Sequence, residues 1–74
     1  MITFKTHSGT DYNISMDYKF WGGCIKEPVA IASADINVEM RAFITLKDGR
    51  LVNTSPVQEI RSTIGGQMLD YFHI

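Results

Sequence analysis

Ile36-Asn37-Val38-Glu39-Met40-Arg41-Ala42-Phe43-Ile44-Thr45-Leu46 is the stretch on which the fold class turns. Ile36, Val38, Met40, Ala42, Ile44 and Leu46 are apolar, while Asn37, Glu39, Arg41 and Thr45 between them are polar. Successive side chains of an extended chain point to opposite sides, so a period of two marks a strand with one face buried. The segment therefore reads as one continuous strand. Phe43 alone breaks its polar face, which predicts that part of that face is covered too. The strand runs into Lys47-Asp48-Gly49-Arg50-Leu51-Val52, where Asp48-Gly49 favours a two-residue type I′ turn. That turn sets Leu46 opposite Leu51 and Thr45 opposite Val52.

Working outward toward the N-terminus, Ile2, Phe4 and Thr6 alternate with Thr3 and Lys5, and Tyr12, Ile14 and Met16 alternate with Asn13 and Ser15. Both segments read as half-buried strands. An odd loop such as Ser8-Gly9-Thr10 would place Phe4 opposite Ile14 and Ile2 opposite Met16. Tyr18, Phe20 and Trp21 then precede Gly22-Gly23, a pair that offers positive φ or close backbone approach at a bend. Glu27-Pro28 punctuates the chain, and Val29 to Ala34 suits either a short helix or a buried strand.

The last third supports two readings. Ser55-Pro56-Val57-Gln58 resembles a helix start, with proline at the first helical position and Val57, Ile60 and Ile64 on one helical face. Against it, Gly65-Gly66 as a hairpin loop would pair Ile60 with Tyr71 and Arg61 with Asp70. The hairpin is the preferred reading. The fold class expected is all-β, a single small domain over residues 1–74 with five or so short strands, the alternative being α+β with one short C-terminal helix.

Composition agrees with one small core. Of 74 residues 45 per cent are hydrophobic, and Lys+Arg 7 against Asp+Glu 8 gives a net charge of −1. Phosphate binding needs a surplus of cations, so nucleic acid is not the partner expected from the charge. The apolar runs are far shorter than the roughly 18 residues of a membrane span, so no membrane association is expected. Met1 to Thr10 lacks a basic segment followed by an apolar one, which predicts cytoplasmic residence and a reduced Cys24.

Thr6-His7-Ser8-Gly9-Thr10-Asp11-Tyr12, together with Leu46-Lys47-Asp48-Gly49-Arg50 running into Thr54-Ser55-Pro56-Val57-Gln58-Glu59-Ile60, resembles the start and end of small phage proteins, mostly uncharacterised, with SH3-like barrels. The likeness covers roughly a third of the chain and consists of turn and strand formers. It implies an SH3-like barrel or roll, a phage origin and hence the host cytoplasm. It carries over no catalytic residue.

Few residues point to chemistry. His7 and His73 have no neighbours at metal-ligand spacing, so no metal or cofactor is expected. Cys24 beside Lys26 reads as a small buried hydrophobe rather than a nucleophile. Gly22-Gly23 and Gly65-Gly66 lack the Lys-Ser/Thr pair of a phosphate loop. No enzymatic activity is expected. Tyr18, Phe20 and Trp21 lie within four residues, and adjacent strand positions face opposite ways, so Phe20 and Trp21 cannot both enter one core. Tyr, Trp and Arg are enriched at binding hot spots, which makes Tyr18, Phe20, Trp21 and Arg41 the candidate partner-binding residues. The function expected is a non-enzymatic binding module, a phage accessory protein that inhibits or redirects a host protein such as a defence or transcription factor. A small nucleic-acid-binding barrel and a structural virion component are the alternatives, and a second copy of the chain, giving a homo-oligomer, is a further candidate partner.

Overall fold

A computed structural model describes residues 1–74 and contains eight strands and no helix. They are β1 (Ile2–Thr6), β2 (Asp11–Ile14), β3 (Lys19–Gly22), β4 (Ile25–Asn37), β5 (Arg41–Leu46), β6 (Leu51–Ser62), β7 (Met68–Leu69) and β8 (Tyr71–His73). β1 to β6 pair in sequence order, and β1 also pairs with β6, which closes an antiparallel barrel. The architecture is consistent with a small SH3-like barrel.

Two long strands make closure possible. The first half of β4 pairs with β3 and its second half with β5, while β6 pairs first with β5 and then with β1. Each therefore belongs to two layers. The first layer is β6 (second half), β1, β2, β3 and β4 (first half); the second is β6 (first half), β5 and β4 (second half). Bending leaves one edge of each long strand free in its second half. β7 fills the edge of β6 at Ile60 and Arg61, and β8 fills the edge of β4 at Asp35 to Asn37.

The bends also explain the ambiguous sequence segments. In β4 the register shifts between Ile31 and Ser33, so Ile31 and Ala34 both point inward although they are three apart. In β6 the pairing with β1 shifts beside Gln58, and Val57 and Ile60 are likewise both buried. A β-bulge adds one residue and turns a spacing of two into three, which imitates a helical face. The helix expected as an alternative from Val57 onward is absent for this reason, and Ile64 lies exposed beyond the strand.

Three registers differ from the expected ones. The first loop is His7-Ser8-Gly9, closed by the Thr6 N–H on the Thr10 carbonyl (3.0 Å), so Phe4 faces Tyr12 and Ile2 faces Ile14. Met16 falls outside the pairing. After β5 the loop is Lys47-Asp48-Gly49, with Gly49 at φ 94° and Asp48 not at positive φ, so a type I′ turn is not formed. Leu51 consequently faces Thr45 rather than Leu46, and it points to solvent. The C-terminal hairpin exists, but Ser62 and Gln67 flank its loop, and Ile60 pairs with Leu69 and Arg61 with Met68.

The segment expected to be one strand, 36–46, is two. Met40 N–H donates to the Asn37 carbonyl (3.1 Å) and Glu39 adopts φ 70°, reversing the chain between β4 and β5. Ala34 pairs with Ile44, and continuing that register sets Ile36 opposite Ala42. Even-numbered residues meet even-numbered ones across the turn. The reversal thus preserves the alternation and hides within it.

The core comprises Phe4, Ile14 and Phe20 from the first layer, Ala42, Ile44 and Leu46 from β5, and apolar residues of β4 and β6. Phe4, Tyr12 and Phe20 stack across β1, β2 and β3, with centroids 5.0 Å apart for the first pair and 5.5 Å for Tyr12–Phe20. Thr54 is the polar residue buried at the β5–β6 irregularity. Its hydroxyl accepts the Ala42 N–H (3.1 Å) and donates to the Ser55 carbonyl (2.8 Å), supplying partners the ladder lacks there.

Tyr12 couples this stack to pH. Burial, with a smaller contribution from negative charge on the Cys24 sulfur, raises its hydroxyl above the ordinary 10.0. The folded chain then holds a proton that the unfolded chain releases, so stability is full below pH 10.0 and falls as pH rises beyond it. Denaturant titrations between neutral and strongly alkaline pH are expected to show this decline, and Tyr12→Phe is expected to reduce it.

Candidate functional site

The four residues singled out by the sequence do not form one patch. Phe20 is 0% exposed and sits at one end of the three-ring stack, so its side chain is unavailable to a partner of the folded chain. This corrects its place among the candidate contact residues. Trp21 points the other way, half-buried on the outside of the first layer opposite Asn13. Arg41 lies on β5 in the second layer, and Tyr18 lies in the loop between β2 and β3.

That loop has a physical peculiarity. In the β1–β2 loop Gly9 N–H donates to the Thr6 carbonyl, and in the β5–β6 loop Gly49 N–H donates to the Leu46 carbonyl. The β2–β3 loop repeats the arrangement: Ser15 N–H donates to the Lys19 carbonyl (2.9 Å) and Tyr18 N–H to the Ser15 carbonyl (3.0 Å). All three hairpins thus have three-residue loops whose last residue has positive φ: 89° at Gly9, 94° at Gly49 and 57° at Tyr18. Glycine adopts this conformation freely, whereas a residue with a Cβ pays about 1 kcal/mol or more. Tyr18 bears that strain although the residue is 51% exposed. Ser15 and Asp17 brace the loop; the Ser15 hydroxyl hydrogen-bonds the Asp17 carboxylate and holds it below the usual carboxylate range. Tyr18→Gly is expected to stabilise the fold by about 1 kcal/mol, read as a higher denaturant midpoint at unchanged slope, whereas Tyr18→Ala is expected to give no such gain.

The outer face of the second layer carries what the sequence reading missed. Phe43 is 54% exposed, not covered, and Leu51 is exposed diagonally from it on β6. Across β4, Phe43 pairs with Asp35 and Asp35 with His73. Arg41 projects from the same face two residues before Phe43, its guanidinium donating to the Thr54 carbonyl (3.4 Å). Tyr71, 62% exposed, stands on the far side of Asn37. Phe43 was legible as the one apolar residue on a polar face; Leu51 became visible only once the loop register was known.

Both histidines are engaged by polar side chains. His7 Nε2 lies 3.1 Å from Glu39, and His73 Nε2 lies 3.0 Å from Asp35 and 2.9 Å from the Asn37 side-chain oxygen. Cys24 is exposed rather than buried, because it occupies the two-residue loop between Gly22 and Ile25. A shallow depression of about 230 Å³ over β1 is lined by Thr3, Phe4, Lys5, Asp11, Glu59 and Arg61. Its two cations and two anions balance, and Arg61 is paired with Glu59 at 3.2 Å, so it offers no field to recruit an ion.

The molecule is thus a small closed β-barrel protein with an aromatic and aliphatic outer face on its second layer. No protein-family profile, curated protein or solved structure matches the chain.

Proposed function

We propose that the chain is a non-enzymatic protein-binding module that acts by covering a surface of its partner. The observation that carries this reading is the outer face of the second layer, where Phe43, Leu51 and Tyr71 are exposed and Arg41 projects two residues before Phe43. Aromatic and arginine anchors amid polar neighbours are the composition of binding hot spots, and Asp35, Asn53 and Thr45 supply such a rim. The strained Tyr18 favours the same reading, since strain kept at an exposed residue points to a use. A protein partner suits this face better than nucleic acid, because the carboxylate of Asp35 sits on it opposite Phe43 and the chain carries a net charge of −1. The resemblance to small phage proteins makes a host protein the expected partner, inhibited or redirected by steric occlusion.

The test is affinity capture from host lysate with wild type, Phe43→Ser and Met68→Ser. Met68 is an exposed apolar residue on the other layer and serves as the control. Phe43→Ser is expected to lose the captured protein by at least about tenfold while Met68→Ser retains it. Equal recovery by all three would refute the assignment of the face.

A further inference from the structure

β8 is the outermost strand of the second layer, and only one of its edges is used. Val38 N–H donates to the Asp70 carbonyl (3.0 Å), and Ile74 exchanges both main-chain bonds with Ala34 (3.0 and 3.1 Å). Hydrogen-bonded residues alternate in an antiparallel ladder, so Asp70, Phe72 and Ile74 aim their main-chain groups at β4. Tyr71 and His73 aim theirs at the opposite edge, with which no strand pairs. Natural edges are guarded by proline, lysine, bulges or a covering segment. Tyr71-Phe72-His73-Ile74 contains none of these residues, and its register with β4 is unbroken.

We propose that this edge pairs with β8 of a second copy of the chain, antiparallel about a twofold axis at Phe72. That register sets Tyr71 of each copy opposite His73 of the other. Each such pair can exchange two main-chain bonds, so the axis generates about four. The strand is self-complementary here: the two residues with outward main-chain groups are also the two that carry exposed rings. Tyr71 and His73 already lie 5.0 Å apart within one chain, and the twofold extends them into a layer of four rings. The His73 ring is held beforehand by Asp35 and Asn37, which lowers the ordering cost of association. An extended segment of a different protein would fit the main chain of this edge but would match the rings only if it carried its own two residues apart. Such an isologous contact closes at two copies. So short a strand buries less than the roughly 1,200 Å² of stable interfaces, which makes the dimer concentration-dependent.

Sedimentation equilibrium of the full chain over a wide concentration range tests the proposal, with wild type, His73→Pro and Tyr71→Lys. Proline at His73 removes an outward N–H while the bonds to β4 are made by its neighbours; lysine at Tyr71 installs an edge guard. Wild type is expected to follow a monomer–dimer equilibrium, with association weakened at least about tenfold in each variant. Amide exchange at Tyr71 and His73 is expected to slow as wild type is concentrated. Circular dichroism checks the fold; if His73→Pro unfolds, Tyr71→Lys and the amide exchange decide. A wild type that stays monomeric to millimolar concentration, dimers that persist undiminished in a folded variant, or open-ended oligomers would each overturn it. The proposal rests on the β8 edge and shares only Tyr71 with the partner face, so a monomeric wild type would leave the Phe43→Ser result standing.

Discussion

Gly22→Ala is expected to destabilise the barrel by about 3 to 5 kcal/mol, as much as the whole net stability of a core this small. Gly22 pairs with Tyr12 across β2 and β3 and adopts φ 140°, a region essentially reserved for glycine. A Cβ there would lie 2.6 Å from the Asp11 carbonyl oxygen and 2.8 Å from the Tyr12 Cα. Both obstacles are backbone of the neighbouring strand, so no side-chain rotation relieves them. The Tyr12 ring also packs at this point, 2.9 Å from the same position, and moving it disturbs the stack with Phe4 and Phe20. Gly9→Ala and Gly49→Ala separate the two causes, since both glycines have positive φ and nothing within 4 Å of an added Cβ. They are expected to cost about 1 kcal/mol each in denaturant titrations. If Gly22→Ala costs no more than these, the close approach of β2 to β3 is wrong.

The same positions show how far the sequence reaches. The close approach at Gly22-Gly23 was legible because two glycines following a cluster of rings have few other uses. The alternation over 36–46 was legible as strand but not as hairpin. A turn that pairs even-numbered residues with even-numbered ones leaves the pattern intact, and Glu39 at φ 70° carries no glycine to betray it. In β4 and β6 the bulges supplied a spacing of three that suited a helix equally well, and only closure of the barrel decides between them. Loop registers were missed by one or two residues because Ser-Gly and Asp-Gly mark a turn without stating its length. The one-residue error at Leu46 was the costly one, since it reversed the face of Leu51 and concealed part of the exposed surface. For the candidate site, strand parity correctly required Phe20 and Trp21 to diverge, but nothing in the local sequence said which of them entered the core.

Phe20→Ala resolves that last point by experiment, and it is expected to cost about 3 to 5 kcal/mol. Phe20 is fully buried, pairs with Ile14 and Val29 on either side, and stacks on Tyr12. Removing its ring deletes the aromatic contact and leaves a cavity between strands that hydrogen bonding holds in place, so the surroundings can close only in part. Trp21→Ala removes a larger side chain from the next position, yet it is expected to cost clearly less. Its ring lies outside the barrel, where β4 bulges: Trp21 alone faces Lys26, Glu27 and Pro28, which are all exposed. Urea titration of the two variants provides the comparison. The folded Trp21→Ala protein then reports on binding, whereas any loss of binding in Phe20→Ala follows from unfolding and disappears when the folded fraction is restored. Equal destabilisation by the two substitutions would mean that the faces of β3 are assigned the wrong way round, and the outward placement of Trp21 would fall with them.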